Sequence, residues 1–374
     1  MQYKKIVFLT GTRADFGKIK SLIQVLEDTT GFEVFVAVTG MHLQEEYGYT
    51  LIEIERCGFQ NIHTFHNHTH ETTMDLTLAK TIEGLSDYVK KINPDLIIVH
   101  GDRVETLAGA IVGSLNNILV AHIEGGELSG TVDELIRHSV SKLSHIHFVS
   151  NTDAKKRLLQ MGEIENSIFE IGSPDLDIMF SGNLPSLESV KQYYQINFDK
   201  FAIAMFHPVT TESTSMQQYA DDFVSALLDD NHQYIVIYPN NDLGSKTILQ
   251  AYQKLDNNPR FRIFPSLRFE YFLTLLHHAS FIIGNSSAGI REAPYYGIPI
   301  INVGTRQQNR AVHADIMNVG YELTDIKKAL QVIDHYTITP TKDFGTGDSA
   351  TLFLKSLKSM ALWEVNHQKQ FRDQ

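Results

Sequence analysis

The sequence predicts an α/β protein built from two doubly wound, Rossmann-like domains. Three observations lead to this prediction. The chain has 374 residues, which is more than one hydrophobic core usually fills. Short apolar, β-branched segments alternate with segments of helix length, as in parallel sheets covered on both faces. The alternation stops once, at a stretch of turn-forming residues, and then begins again.

The first series of predicted strands defines an N-terminal domain. Its strands are the segments 6–10, 32–38, 96–101, 118–124, 145–150 and 168–172. A segment rich in turn formers, from Pro174-Asp175 to Asn183-Leu184-Pro185-Ser186, follows the last of these strands. We place the domain boundary there, because proline, glycine and polar clusters mark connections between packed elements.

The second series defines a C-terminal domain. Its predicted strands are 201–206, 233–238, 260–264, 280–284 and 299–303, with helices near 215–230, 244–256, 268–278 and 287–296. A last helix over about 350–370 follows the Gly345-Thr346-Gly347 turn. No strand follows this helix, so the local pattern leaves open the domain on which it packs.

Composition excludes several classes of protein. Lys and Arg number 32 against 44 Asp and Glu, a formal charge of −12, so nucleic acid is not an expected partner. The single cysteine, Cys57, excludes an intrachain disulfide and a cysteine-based zinc site, which suits a reducing compartment. The N-terminal apolar segment 6–10 is too short for a signal peptide, and no apolar run approaches the roughly 18 residues of a membrane span. We expect a cytoplasmic protein without a membrane partner.

The loop after the first strand has the features of a phosphate-binding loop. Gly11-Thr12-Arg13-Ala14-Asp15-Phe16-Gly17-Lys18 combines a glycine turn, the free amides of a helix N-terminus and two cations, Arg13 and Lys18. Phosphate is the natural ligand of such a loop. A tight turn with a surface arginine is the alternative.

A loop of the same character follows the strand at 280–284. Gly284-Asn285-Ser286-Ser287-Ala288-Gly289 lets the backbone approach a diphosphate, and Ser286 and Ser287 offer hydroxyls to it. Either serine is alternatively a helix N-cap. Glu292, further into the next helix, is suited to two ribose hydroxyls, with simple surface exposure as its alternative. One such loop in each domain would clamp a nucleotide diphosphate in a cleft at the carboxyl ends of both sheets.

Acidic residues gather at the same sheet edge of the first domain. Asp102, next to Arg103, and Glu124 each follow a strand, and Asp133 begins the next helix. Carboxylates beside a diphosphate repel it, so a reacting sugar that develops positive charge explains them better than stability does. Asp102 and Asp133 are alternatively helix N-caps, an explanation that Glu124 does not have. His207 ends the first strand of the second domain, where it is suited to bind phosphate or move a proton.

The histidine-rich segment 63–70 does not match a metal site. Its histidines, at His63, His66, His68 and His70, are spaced unlike either H-E-x-x-H or a zinc finger. We interpret the segment as a solvated or substrate-facing loop. No metal and no cofactor are expected.

Taken in order, these motifs resemble one family, the UDP-N-acetylglucosamine 2-epimerases, and within it the hydrolysing branch that feeds sialic and related nonulosonic acid synthesis. The motifs that carry the resemblance are Gly11-Thr12-Arg13-Ala14-Asp15, Thr39-Gly40-Met41-His42, Gly101-Asp102-Arg103, His122-Ile123-Glu124-Gly125-Gly126-Glu127, Asp133-Glu134-Leu135-Ile136-Arg137-His138, Phe206-His207-Pro208, Gly284-Asn285-Ser286-Ser287 and Gly304-Thr305-Arg306. The resemblance implies a GT-B type fold, whose last helix returns to the first domain. It thus implies an N-terminal domain of 1–174 plus 355–374, a UDP-binding domain of 175–354, and a homodimer.

The resemblance also implies roles for individual residues. Arg13, His207, Ser286, Ser287 and Arg306 would hold the diphosphate, with Glu292 on the ribose and Asn240 as a further polar contact. Phe272 resembles the family's aromatic residue near uracil, although Phe269 is close enough to compete. Asp102, Glu124 and Asp133 match the catalytic acids, together with His207. Lys18 and Arg103 complete the predicted set that contacts the UDP-sugar.

Two departures separate this chain from the non-hydrolysing branch. Ala14-Asp15 stand where that branch carries Pro-Glu, and Met41 stands where its regulatory loop carries Gln. Because that glutamine helps to hold a second, activating UDP-sugar, we expect no such requirement here.

The expected reaction is elimination of UDP followed by hydration. The C2 proton of an N-acetylhexosamine becomes acidic only as the C1–O bond to diphosphate breaks, so departure of UDP leads. Loss of the C2 proton gives a 2-acetamidoglucal; water then adds at C1 and a proton returns to C2 from the opposite face, which yields N-acetylmannosamine.

Three alternatives stay open. The first is the same reaction on UDP-N,N′-diacetylbacillosamine, as on the legionaminic acid route. The second is a GT-B glycosyltransferase that uses a UDP-sugar and an acceptor, and the third is a UDP-sugar sensor without turnover.

Overall fold

A computed structural model describes residues 3–67, 73–129, 131–308, 315–370 and 372. The chain forms two compact units. Unit 1 contains Met1–Glu127, Asp133–Gly182 and Asp343–Gln374, and unit 2 contains Leu128–Val132 and Asn183–Lys342. Across the described ranges, none of the helices combines the length and apolar character needed to cross a bilayer.

Unit 1 is built on a seven-stranded, entirely parallel sheet in the order β3-β2-β1-β4-β5-β6-β7. Its strands are β1 (Lys4–Thr10), β2 (Phe32–Val38), β3 (Ile62–Thr64), β4 (Leu96–His100), β5 (Leu119–Ile123), β6 (Ile146–Val149) and β7 (Ile168–Glu170). Its helices are α1 (Arg13–Glu27), α2 (Leu51–Glu55), α3 (Met74–Ile92), α4 (Val104–Leu115), α5 (Val132–Leu143), α6 (Thr152–Gln160), α7 (Asp175–Met179), α14 (Ser349–Leu357) and α15 (Met360–Trp363), with short 3-10 helices at Gly40–Leu43, Glu45–Tyr47 and Glu165–Ser167.

The alternation of side chains along β1 explains the two cores of unit 1. Ile6 and Phe8 pack on one face with α1 and α14, whereas Val7 and Leu9 pack on the other with α3 and α4. All four side chains are buried. A strand covered on both faces is apolar at most positions, which is why the sequence shows nearly continuous apolar runs there.

Unit 2 repeats this architecture with six parallel strands in the order β10-β9-β8-β11-β12-β13. Its strands are β8 (Ala202–Met205), β9 (Tyr234–Ile237), β10 (Phe261–Phe264), β11 (Ile282–Gly284), β12 (Ile300–Val303) and β13 (Met317–Val319). Its helices are α8 (Leu187–Tyr194), α9 (Met216–Asp229), α10 (Ser245–Tyr252), α11 (Phe269–His278), α12 (Glu292–Tyr296) and α13 (Leu323–Val332), with 3-10 helices at Thr210–Ser215, Gln253–Leu255, Ser287–Gly289 and Ile333–His335. The predicted fold class, two doubly wound parallel-sheet domains, is confirmed.

Two short strands were not predicted, β3 and β13. Each has three residues and forms one edge of its sheet, where one side carries no neighbouring strand. Neither contains a fully buried position. An edge strand needs no continuous apolar run, so the pattern that identifies central strands does not detect it.

The division between the units differs from the predicted boundary at 174/175. The structure keeps α7 in unit 1, because the Asp177 carboxylate accepts hydrogen bonds from the main-chain amides of Ser349 and Ala350, at 2.8 and 2.7 Å. These bonds tie α7 to the first turn of α14. The change of unit therefore falls after Gly182, and the return falls at Asp343 rather than at residue 355.

The C-terminal helix packs within unit 1. The Phe353 ring of α14 lies 6.4 Å from that of Phe8 and 4.9 Å from that of Phe148, between centroids. The helix predicted over 350–370 is shorter than expected, because α14 ends at Leu357 and only the four-residue α15 follows. Phe353 and Leu357 of α14 and Leu362 of α15 are all buried.

Candidate active site

The first loop of unit 1 is held by Asp15. The Asp15 carboxylate accepts hydrogen bonds from the Gly11 amide at 3.0 Å, from the Thr12 amide and from the Thr10 hydroxyl. Thr12 in turn caps α1 through its own side chain, a reciprocal capping box. Burial raises the pKa of Asp15 despite these bonds. Asp15 thus fixes the turn that places Arg13 at the first position of α1.

The two cations of this loop have different surroundings. The Arg13 guanidinium is partly exposed and lies 4.0 Å from the Glu53 carboxylate. The Lys18 ammonium lies in the interior of unit 1, where it donates to Oε1 of Glu124 at 3.2 Å and lies 3.8 Å from Oδ2 of Asp175. The structure therefore places Lys18 against two carboxylates, a contact that the sequence did not predict.

Glu124 adopts a backbone conformation that is unusual for its residue type. Its φ is 64°, in the left-handed region, which costs a non-glycine residue of order 1 kcal/mol or more. The Glu124 amide donates to the Phe148 carbonyl at 3.0 Å, and its carbonyl accepts from Arg137 at 2.7 Å. Because strain of this kind persists where the surroundings impose it, the conformation favours a functional role for Glu124.

The Glu124 carboxylate is almost fully buried and is held by polar neighbours. Besides Lys18, its Oε1 accepts a hydrogen bond from the Ser173 hydroxyl at 3.1 Å. The imidazole Nε2 of His100, at the end of β4, lies 3.4 Å from the same oxygen. One carboxylate oxygen of Glu124 therefore accepts two hydrogen bonds, from Lys18 and Ser173, and lies close to the His100 imidazole.

Arg137 connects two of the predicted acids. Its side chain is fully buried on α5, one Nη hydrogen-bonds the Asp102 carboxylate, and the other donates to the Glu124 carbonyl. Asp133 lies four residues earlier on the same helix, and residues at this spacing share a face. Arg137 thus brings the Asp102 and Glu124 loops to the helix that carries Asp133.

Asp102 is not the cap of α4, and Asp133 lies within the first turn of α5. Arg103, not Asp102, is the N-cap of α4, and the carboxylate of Asp102 pairs with Arg137. Asp133 is half-buried in the first turn of α5, where the helix dipole favours a negative charge. The Nε of Arg103 lies 3.3 Å from the Glu105 carboxylate, which is buried.

His122 hydrogen-bonds the main chain next to Asp102. Its Nε2 hydrogen-bonds the Gly101 carbonyl at 2.8 Å, and its Nδ1 lies 3.0 Å from the Ser141 hydroxyl. Burial lowers the pKa of His122 to about 3, so its imidazole is neutral at physiological pH. A neutral ring with Nε2 protonated donates to Gly101 and accepts from Ser141, which fixes its tautomer.

In unit 2, Asn285 organises the loop predicted to bind phosphate. Its side chain accepts from the His207 amide at 2.6 Å and donates to the His207 carbonyl at 2.8 Å. Its own carbonyl accepts from Arg306 Nη1 at 3.2 Å and from Gln307 Nε2 at 2.8 Å. Asn285 therefore connects the ends of β8, β11 and β12, and it is completely buried.

His207 has a defined tautomer. The main-chain amide of Asn240 donates to Nδ1 of His207 at 3.0 Å, so Nδ1 is unprotonated and a neutral ring carries its proton on Nε2. The side chain of Asn240 itself is bonded to Asp242. His207 consequently presents an N–H donor, which suits a phosphate oxygen.

The remaining predicted residues of unit 2 occupy the following loop and helices. Gly284 has φ 132°, and a Cβ there would overlap the Met205 carbonyl, so the tight approach of β11 to β8 requires glycine. Ser286 is a cap, as the alternative interpretation proposed, since its Oγ accepts from the Ala288 amide at 3.3 Å. Ser287 begins the 3-10 helix, and Glu292 is buried at the start of α12.

The aromatic candidates and the histidine segment have different outcomes. Phe272 is buried within α11, whereas Phe269, at the start of that helix, is partly exposed. His63 stacks on Tyr88, with ring centroids 4.0 Å apart. His66 is exposed, and His68 and His70 lie outside the described residues.

Sequence reasoning missed several residues that the structure brings to the site: Arg137, His100, His122, Ser173, Asp175 and Asn285. Arg137 carried a detectable signal, since it lies one helical turn after Asp133. Asn285 lies inside the predicted loop but was not singled out. Ser173 and Asp175 lie in the segment interpreted as a domain boundary, where nothing pointed to chemistry.

The acids of unit 1 and the phosphate-type loop of unit 2 are typical of an enzyme that acts on a nucleotide sugar. A family model described as UDP-N-acetylglucosamine 2-epimerase matches residues 24–358. The chain belongs to this family. It is 49% identical over 374 residues to the "UDP-N-acetylglucosamine 2-epimerase" of Neisseria meningitidis serogroup B, covering 99% of both chains.

Two further relatives carry other names, one of which includes the word hydrolyzing. The "UDP-N,N'-diacetylbacillosamine 2-epimerase (hydrolyzing)" of Legionella pneumophila is 33% identical and covers 96% of this chain and 97% of its own. The "Polysialic acid biosynthesis protein P7" of Escherichia coli is 32% identical and covers 88% of this chain and 86% of its own.

Solved structures support the fold. A UDP-GlcNAc 2-epimerase from Neisseria meningitidis, bound to UDP-GlcNAc, aligns with a TM-score of 0.80 at 18% identity, covering 94% of this chain and 99% of its own. The Methanocaldococcus jannaschii UDP-GlcNAc 2-epimerase, in complex with UDP-GlcNAc and UDP, aligns with a TM-score of 0.79 at 23% identity. The alignment covers 94% of this chain and 99% of that one. The fold is therefore that of these epimerases, which have a GT-B type architecture.

Proposed function

We propose that this chain is a hydrolysing UDP-N-acetylglucosamine 2-epimerase that converts UDP-N-acetylglucosamine and water to N-acetylmannosamine and UDP. The relative that is 49% identical over the whole chain supports the substrate. The relatives whose names include the word hydrolyzing, at 33% and 32% identity, support the hydrolytic outcome. The observation that carries the proposal is the grouping of Asp102 and Glu124 on one buried arginine.

In the proposed reaction, unit 2 binds the UDP. The Nε2–H of His207, the hydroxyls and amides of the Ser286-Ser287 loop and the Arg306 guanidinium would stabilise the diphosphate as it leaves with the electrons of the C1–O bond. Glu292 would hold the ribose, and Phe272 would lie on the uracil side. Arg13 would add a second cation from unit 1.

The carboxylates of unit 1 would act on the sugar. A carboxylate near C1 stabilises the oxocarbenium-like state, and another accepts the C2 proton, which leaves a C1–C2 double bond in a 2-acetamidoglucal. Water then adds its oxygen to C1, while a proton is delivered to C2 from the opposite face. Each proton removed is returned, so the balance is UDP-sugar plus water to UDP plus free sugar.

Product analysis tests the proposal directly. The purified protein is incubated with UDP-N-acetylglucosamine and no acceptor, and the sugar released is identified by chromatography against authentic N-acetylmannosamine, N-acetylglucosamine and their UDP derivatives. We expect equimolar UDP and N-acetylmannosamine. UDP-N-acetylmannosamine would show the non-hydrolysing reaction, strict dependence on an acceptor would indicate a glycosyltransferase, and binding without turnover would indicate a sensor.

A second substrate is supported by the names of two relatives, both 2-epimerases of N,N'-diacetylbacillosamine nucleotides. This sugar differs from N-acetylglucosamine at C4 and C6, so the proposed chemistry at C1 and C2 is unchanged. Measuring kcat/KM for the two UDP-sugars side by side distinguishes them. We expect the higher value for UDP-N-acetylglucosamine, because the relative that shares its name is the more similar one.

A further inference from the structure

The structure gives the two acids that Arg137 connects different electrostatic surroundings. Asp102 is bonded to a guanidinium, which stays charged at every pH that the protein experiences. Glu124 is instead bonded to a lysine and lies 3.4 Å from a histidine nitrogen. Two carboxylates in different environments usually take different roles, one charged throughout and one exchanging protons.

Lys18 has a second acidic neighbour, Asp175. The Nζ of Lys18 lies 3.2 Å from Glu124 and 3.8 Å from Asp175, and the three side chains are 9, 2 and 1% exposed. Charges this well buried are screened little by water. The ammonium that would otherwise stabilise the Glu124 carboxylate alone is therefore shared between two acids.

We propose that Asp175 is a positioning residue for the epimerase reaction, which acts through Lys18 to raise the proton affinity of Glu124, so that Glu124 serves as the base for the C2 proton. This inference rests on the proposed function. Asp175 acts without touching the sugar: its negative charge disfavours a second negative charge nearby, and it draws Lys18 partly away from Glu124. A carboxylate with higher proton affinity is a stronger base towards a weakly acidic C–H bond.

Ser173 and the backbone place Asp175 for this task. The Ser173 hydroxyl donates to the same Glu124 oxygen, at 3.1 Å, and its amide donates to the Phe344 carbonyl at 2.7 Å. Asp175 follows two residues later, at the start of α7, whose Asp177 is bonded to α14. The segment from 173 to 177 is thus anchored on both sides of Asp175.

Several charged and titratable groups face Glu124, and each belongs to a different element. They include Lys18 of α1, His100 at the end of β4 and Asp175 of α7, while Arg137 of α5 faces its main-chain carbonyl. Lys18 and Arg137 favour the ionised carboxylate, and Asp175 opposes them. Removing Asp175 leaves the cations unopposed by it, so the proton affinity of Glu124 should fall.

The test compares wild type with Asp175→Asn, Asp175→Glu and a matched control in the same unit, Asp95→Asn. The control weakens the bonds that Asp95 accepts from the Lys4 side chain and the Lys5 main-chain amide, at the start of β1 and β4 rather than at their carboxyl ends. It should lower thermal stability without altering chemistry. For each protein, kcat, KM and the pH profile of kcat/KM are measured with UDP-N-acetylglucosamine. The kinetic isotope effect is measured with substrate that carries deuterium at C2.

For Asp175→Asn we expect kcat to fall by about 10- to 100-fold, with KM within about threefold of wild type. The acidic limb of its pH profile should move to lower pH, and the C2 isotope effect should rise because proton removal has become slower. Asp175→Glu should recover most of the activity. Should Asp175→Asn not fold, Asp175→Glu carries the test, with an acidic limb at or above the wild-type pH.

Three results would overturn the inference about Asp175. A wild-type kcat and pH profile in Asp175→Asn would overturn the inference, as would equal losses in both Asp175 variants with an unchanged profile and a lowered melting temperature. An acidic limb at lower pH in Asp175→Glu would also overturn it. If the wild-type protein does not turn over either UDP-sugar, the proposed function fails first, and this inference fails with it.

Discussion

The guanidinium of Arg137 joins two catalytic candidates at once, with one nitrogen on the Asp102 carboxylate and the other on the main-chain carbonyl of Glu124. A lysine carries the same charge but has a single nitrogen, so it cannot make both bonds in this geometry. We therefore expect Arg137→Lys to lower kcat about 100-fold, comparable to the loss of one preorganised electrostatic contact.

The control for Arg137→Lys is Arg260→Lys. Arg260 also donates to main-chain carbonyls, those of Asp230 and Leu228, but it belongs to unit 2, whereas the three predicted catalytic acids belong to unit 1. Steady-state kinetics should show activity within about twofold of wild type for this control, since it disturbs packing alone. Equal losses in both variants would mean that Arg137 serves stability and not catalysis.

The two acids should be essential for turnover and dispensable for UDP binding. Glu124→Gln keeps the shape and the hydrogen bond to Ser173 but cannot exchange a proton, and Asp102→Asn loses its charge. We expect each to lower kcat by about 10²- to 10⁴-fold, the usual contribution of acid–base or charged groups. Calorimetric titration with UDP should give wild-type affinity for both, and a lost affinity would place these residues in the UDP site instead.

Asn285 should matter for UDP affinity. In Asn285→Asp the carboxylate still accepts from the His207 amide but faces the His207 carbonyl with a second acceptor, which breaks the reciprocal pair. We expect KM to rise at least about tenfold with a smaller change in kcat, because a lost buried hydrogen bond costs about 1–3 kcal/mol.

A matched control for Asn285 is available in the neighbouring strand. Asn302 is buried in β12 and donates to Asn318 at 2.7 Å. Asn302→Asp should lower the melting temperature while the calorimetric affinity for UDP is kept. If both variants lose UDP equally, the effect of Asn285 is a general loss of unit 2 and the proposed role is wrong.

Unit 1 should lose stability in mild acid. Burial lowers the pKa of His42 and of His122 to about 3, against 6.5 in the unfolded chain. Above pH 6.5 both rings are neutral in both states. Below pH 6.5 the two histidines bind protons in the unfolded chain but not in the folded chain. The free energy of unfolding therefore falls as the pH decreases towards 3, by about 1.4 kcal/mol per pH unit for each histidine.

Urea denaturation at pH 8, 6 and 5 checks this expectation. The free energy of unfolding should be flat above pH 7 and decline below 6.5. His42→Gln removes one of the two groups and should make the decline shallower, although loss of the bonds to Thr10 and Thr50 lowers stability at every pH. A wild-type profile that is level down to pH 5 would contradict the neutral, buried assignment.

The sequence was sufficient for the parallel-sheet architecture because the buried parts of β1, β4 and β5 are covered on both faces and hence mostly apolar. It also predicted that Asp102 and Glu124 lie at one edge of the sheet, since carboxyl ends of adjacent parallel strands meet there, and Arg137 bonds both residues; their catalytic role stays a prediction. It did not locate Asp175, because that residue is 51 positions from Glu124 in the chain, and nothing local distinguishes a buried carboxylate from a turn former. For the same reason the sequence did not reveal that Lys18 lies in the interior of unit 1. The loop pattern predicted instead that Lys18 contacts phosphate.

The left-handed conformation of Glu124 could not be predicted either. Sequence patterns associate positive φ with glycine and asparagine, whereas here the bonds from Arg137 and to Phe148 impose it on a glutamate. The site therefore departs from the local rules that served for the rest of the fold, as functional sites commonly do.

Proton NMR of the wild-type reaction in D₂O examines the elimination and hydration scheme most directly. With UDP-N-acetylglucosamine as the only substrate, the account predicts free N-acetylmannosamine that carries one deuterium at C2, formed in step with UDP. N-acetylmannosamine that retains hydrogen at C2, or free N-acetylglucosamine as the sugar product, would contradict it.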